Sequence, residues 1–152
     1  MDLSRPALEV HVYPDEYSTL QYTDRADRVR ALEAWQAVQL VQTQESDDRF
    51  LSISHVSEEV SVVAATSLVT EAKGLPPASS TDAWHLIKLR GPFDFQVTGV
   101  LSALSRVLAE AHIVIYALAT VETDYILVKD GHAAAEALRT AGWSVRYLPK
   151  AC

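Results

Sequence analysis

Apolar and polar positions are most clearly ordered in the second half of the chain. Val97, Val100, Leu101, Leu104, Val107, Leu108 and Ala111 recur at i, i+3, i+4 and i+7, which puts them on one helical face for burial against a sheet. A strand from Ala83 to Arg90 precedes this helix and stops at Gly91-Pro92. Ile113 to Ala119 is a nearly continuous apolar run, the pattern of a strand covered on both faces. Tyr125 to Lys129 pairs back on that run through a short turn. His132 to Ala141 reads as an alanine-rich helix ended by Gly142, and Trp143 to Leu148 alternates as a final strand before Pro149.

The order over 82–148 is therefore strand, helix, strand, strand, helix, strand, the split βαβ or ferredoxin-like module. The first half is less regular. Leu8 to Tyr13 alternates as a half-buried strand ended by Pro14-Asp15, and a polar stretch follows it. Asp24 is placed to cap a helix through Val29, Leu32, Trp35, Val38 and Val41, whose three-residue spacing gives a stripe that drifts around the axis. The runs 50–55 and 60–65 flank the polar turn Val56-Ser57-Glu58-Glu59 and predict a hairpin. Periodicity is lost after Val69, and Lys73 to Thr81 has linker composition. No second helix or closing strand is legible in this half, so its module is either incomplete or completed by strands exchanged across the linker.

Composition narrows the class of function. The chain has 152 residues, 49% of them hydrophobic, enough for one compact domain or two small modules. A formal net charge of -7 argues against a nucleic-acid groove or an anionic membrane surface as partner, since both require a basic face. The single cysteine, Cys152, offers neither an internal disulfide nor a thiolate-rich metal site, and His11, His55, His85, His112 and His132 lack paired zinc spacing. We expect no metal and no cofactor. The first residues lack the blocks of a secretory signal, and no apolar run is long enough to span a bilayer, so the expectation is a cytoplasmic protein.

The loop from Gly91 to Leu101, the hairpin from Ala119 to Lys129 and the segment from Phe50 to Val63 resemble those of short tandem ACT proteins, and the chain is similar to the tandem-ACT arginine sensors. The resemblance implies an α+β fold of two ACT-like, ferredoxin-like βαββαβ modules, with antiparallel sheets and helices on one face. The expected division is 1–73 for the first module, 74–81 for a linker, 82–148 for the second module and 149–152 for a tail. It also implies binding of an amino acid or related metabolite, with a regulatory output, a homodimer and a regulated protein that the residues do not identify.

Carried onto this chain, the resemblance implies a ligand site made by Asp94, Val97, Thr98, Gly99 and Leu101 from one loop and Thr120, Val121 and Asp124 from the other. Backbone N–H groups at the start of the helix suit a carboxylate, and Asp94 or Asp124 suits an ammonium group. Plainer readings stand beside these. Asp94 serves equally as a helix cap, Gly99 as a close-packing position and Asp124 as a turn residue. Where related proteins have Ser-Thr-Tyr, this chain has Ala119-Thr120-Val121, without the first hydroxyl and the ring. An enzyme using His55, Glu58, Glu59, Asp94, Asp124 and Tyr125 for acid–base work on an amino-acid-derived substrate is the alternative, and an interaction subunit with a vestigial pocket is a further one.

Overall fold

In a computed structural model, residues 8–90 and 99–150 of the chain are described. Asp94, Val97 and Thr98 lie outside them, as does Cys152. The chain forms two compact units that do not follow the division expected from composition: one comprises 1–15 with 84–152, the other 16–83. The fold is α+β, with eight strands and four helices among the described residues.

The unit made of 16–83 runs β2 (Tyr17–Tyr22), α1 (Arg25–Glu45), β3 (Leu51–His55), β4 (Val60–Ala65), α2 (Thr66–Glu71) and the opening residues of β5 (Ser79–Leu89). The strand order is β3-β4-β2-β5, so this is a βαββαβ unit with its own second helix and closing strand. Both had been missing from the sequence reading, because α2 is one short helix and β5 begins inside the residues expected to be linker. The opening strand had also escaped. The stretch taken as merely polar is β2, paired antiparallel with β4 from Tyr17↔Ala65 to Tyr22↔Val60. Its Tyr17, Leu20 and Tyr22 are buried, and its polar Ser18 is buried too, sharing a 2.8 Å hydrogen bond with the Thr66 hydroxyl.

Asp24 caps α1 as expected, its carboxylate accepting the Asp27 N–H at 3.0 Å. The buried face of α1 is Ala31, Trp35 and Gln42, whereas Val29 and Val41 are about half exposed (53% and 49%). A three-residue spacing falls behind the 3.6-residue turn, so the ends of the predicted stripe rotate out of the core. Trp35 is fully buried and donates its indole N–H to the Tyr22 hydroxyl at 3.4 Å.

The other unit contains β1 (Glu9–Val12), the remainder of β5, α3 (Val100–Glu110), β6 (Ile115–Ala119), β7 (Asp124–Val128), α4 (Gly131–Thr140) and β8 (Ser144–Tyr147). Its strand order is β6-β7-β5-β1-β8. Strand β1 had been assigned to the first module, but Val10 and Val12 fill the core of this unit. It lies antiparallel to β5 and parallel to β8, so the sheet is mixed rather than wholly antiparallel. Leu104 and Leu108 of α3 and Ala134 and Leu138 of α4 pack with Ile87, Leu89, Ile126 and Val128 on one face of that sheet. The apolar run expected to be covered on both faces is instead β6, half-buried and, among the described residues, an edge strand paired only with β7, with Val114 before it 66% exposed. No helix of the described residues is long and apolar enough to cross a membrane.

Candidate functional site

The hairpin of β6 and β7 is closed by a turn in which Thr120 and Thr123 hold each other. The Thr120 N–H donates to the Thr123 carbonyl at 2.8 Å, the Thr120 hydroxyl donates to the same carbonyl at 3.2 Å, and the Thr123 N–H donates to the Thr120 hydroxyl oxygen at 3.3 Å. Thr123 is buried, and its hydroxyl donates to the carbonyl of Leu89, the last residue of β5, at 2.7 Å. The turn is thereby fastened to the end of β5, from which residues 90–99 lead to α3. Thr123 was not among the expected site residues. The signal for it was a second threonine three places after Thr120, in a position to satisfy buried carbonyls.

Asp124 opens β7, opposite Ala119, on the side of the sheet shared with Ile126 and Val128. It is half-buried, and its carboxylate has no side-chain partner among the described residues. Val121 stands at the tip of the turn, 85% exposed. Gly99 immediately precedes α3 at φ 81°, the left-handed region that disfavours any residue with a Cβ. A Cβ there would meet nothing within 4 Å, so the glycine answers a backbone demand and not close packing. Its carbonyl accepts the Ala103 N–H at 2.9 Å, and Leu101 lies on the outer side of α3, 39% exposed.

The residues of the acid–base alternative fall in different places. His55, Glu58 and Glu59 belong to the β3–β4 hairpin of one unit, while Asp124 and Tyr125 open β7 of the other. The Ser61 hydroxyl and then the Gln21 amide hold the Glu59 carboxyl below its ordinary range, donating at 2.6 Å each. A carboxylate so engaged is a weakened base, and it acts as a clasp between β2 and β4. Two hollows lie away from all these residues. One of about 320 Å³ is lined by Ser102, Ser105, Arg106, Ala109, Ile113 and Ile115, and one of about 580 Å³ lies at the end of α1 around Gln42, Ser46 and Arg49.

A family model described as the ACT domain matches residues 79–140, which include β5, α3, the β6–β7 hairpin and α4. Residues 79–140 are thus an ACT domain. A search of curated proteins gives no match to it. Among solved structures, the chain is similar in fold to a protein of Agrobacterium tumefaciens, with a TM-score of 0.69, 20% identity, and coverage of 97% of this chain and 98% of that one. It is similar to the regulatory subunit of aspartate kinase from Thermus thermophilus in its ligand-free form, with a TM-score of 0.62, 14% identity, and coverage of 87% and 95%. It is also similar to aspartate kinase from Synechocystis, with a TM-score of 0.66 and 16% identity, all of this chain corresponding to 29% of that one. At these identities the likeness is one of fold.

Proposed function

We propose that this ACT protein binds a small amino acid or a related metabolite without transforming it, and that its output is regulation of a partner protein. The observation that carries the reading is the Asp124 carboxylate, which has no side-chain partner among the described residues and follows a turn fastened to β5 through Thr123. A carboxylate on a firmly held strand end suits the ammonium group of a zwitterion through a charge-assisted hydrogen bond. Backbone N–H groups from Gly99 to Leu101 suit the ligand's carboxylate, as at other helix starts. In this reading Asp94, Val97, Thr98, Thr120 and Val121 complete the pocket. The fold likeness to a regulatory subunit of aspartate kinase supports a regulatory output.

Calorimetry with a panel of amino acids tests the proposal, guided by mass spectrometry of small molecules that co-purify. Asp124→Asn keeps the shape of the turn and is expected to weaken binding by roughly 1.5–3 kcal/mol. Unchanged affinity would remove Asp124 from the site and leave its role as a turn residue.

The protein acts in this reading as a homodimer joined through β6. That edge strand, Ile115-Tyr116-Ala117-Leu118-Ala119, carries no charge. Exposed edges usually carry lysine, proline or a bulge to block pairing with another chain. Ala117 is exposed on β6, so Ala117→Lys should turn a dimer into a monomer in sedimentation velocity. A wild-type protein that stays monomeric throughout the micromolar range would refute this interface.

A further inference from the structure

The sheet of the unit formed by 1–15 and 84–152 has a second face, opposite α3 and α4, and its charge is unlike that of the chain. Residues paired across neighbouring strands share a face. Arg146 of β8 is paired with His11 of β1, His11 with Lys88 of β5, and Lys88 with Tyr125 of β7. Their chain neighbours Val10, Ile87 and Ile126 belong to the core cluster, and Val145 packs against it, so these four side chains form one row on the face opposite α3 and α4, where Leu86 and Leu127 are fully buried.

Adjacent members of the row are separated by one strand spacing, about 4.8 Å. Lys88 and Arg146 flank His11, and neither makes an ion pair among the described residues. Glu9 is the one carboxylate that the strand residues of this unit place on this face, and Arg90 already engages it at 2.8 Å. The His11 Nε2 atom is buried without a hydrogen-bond partner and lies 3.7 Å from Glu9, beyond hydrogen-bonding distance. In a chain of net charge -7, two unneutralised cations therefore stand on either side of an unsatisfied imidazole nitrogen.

We infer that this row is a binding site for a small oxyanion, a phosphate or carboxylate group of a small molecule. The anion would lie between the Lys88 ammonium and the Arg146 guanidinium, beside the His11 ring, relieving their mutual repulsion. The row spans three basic side chains, about 10 Å, which fits a small molecule and not a polyanion. The Tyr125 ring, 5.7 Å from the Lys88 nitrogen, offers a flat surface for an organic portion of such a ligand.

The test is calorimetry on the full chain with inorganic phosphate and, separately, with succinate, in chloride buffer of matched ionic strength. The His11 imidazole signals are followed by NMR. At least one of the two anions should bind saturably at millimolar concentration or below and shift the His11 resonances. Phosphate alone, or succinate alone, identifies which chemistry is preferred. Arg146→Gln changes an exposed side chain and should weaken binding at least fivefold with an unchanged melting temperature. Lys88→Gln together with Arg146→Gln should weaken it more than tenfold, and Lys88→Arg should retain it. Absence of saturable binding by both anions, unmoved His11 resonances, or full affinity in a folded Arg146→Gln protein would overturn the assignment.

Discussion

Gly131→Ala sets two effects of similar size against each other, and the geometry decides the sign. Gly131 is buried at the first turn of α4, after Asp130, whose carboxylate caps the helix by accepting the Ala133 N–H at 3.0 Å. An alanine in a helix gains up to about 1 kcal/mol over glycine, partly by restricting the unfolded chain. Here a Cβ would lie 2.9 Å from Cγ and 3.1 Å from Cβ of His85. Those atoms are the root of a side chain on β5, whose backbone is held in register with β7 by the pair His85↔Val128, so they have little room to retreat. Overpacking of this kind costs roughly 1–3 kcal/mol. The variant should therefore lose about 1 kcal/mol net, or roughly 2–4 °C in melting temperature for a chain of this length. In a His85→Ala background the 2.9 Å contact with Cγ is gone while the 3.1 Å contact with Cβ remains, so the same change should cost less and come out about neutral. Scanning calorimetry of the four proteins gives the coupling directly. A higher melting temperature for Gly131→Ala alone, or the same effect in both backgrounds, would show that His85 does not confine this position.

Thr123→Val removes a buried donor from the Leu89 carbonyl while keeping the shape of the side chain, so it should cost about 1–2 kcal/mol in urea unfolding and speed amide exchange in the β6–β7 turn. Arg49 donates to Asp47 at 2.7 Å and to Glu71 at 2.8 Å, and these bonds lower both carboxyl pKa values from ordinary values of 3.8 and 4.5. Their contribution to stability is complete above those ordinary values and is lost as the pH falls through the lower native ones. Melting temperature should therefore drop more steeply between about pH 5 and pH 2 in the wild type than in Arg49→Gln, and parallel profiles would dismiss the network as a source of acid sensitivity.

What the amino-acid order revealed was local. α3, α4 and the β3–β4 hairpin were legible because each repeats its own period over enough residues to be read without knowing its neighbours. β1 was legible as a strand, since Val10 and Val12 alternate with Glu9 and His11, but alternation carries no information on the partner. Its place between β5 and β8 depends on pairings with residues about 75 or more positions away, such as Val10↔Leu89. β2 was hidden for a related reason. Ser18 reads as polar and outward, yet it is buried because Thr66, far along the chain, supplies its hydrogen bond. The candidate site divides in the same manner: Gly99 and Asp124 were visible as residue types with special backbone or charge properties, whereas Thr123 gains its role only when Leu89 arrives beside it. The basic row on the face opposite α3 and α4 is more extreme, since Arg146, His11 and Lys88 come from three distant segments and none is unusual by itself. In this protein, then, the features that sequence periodicity recovers build the scaffold, and those with the most chemical consequence are made by pairing across the sheet, where a single register shift would dissolve them.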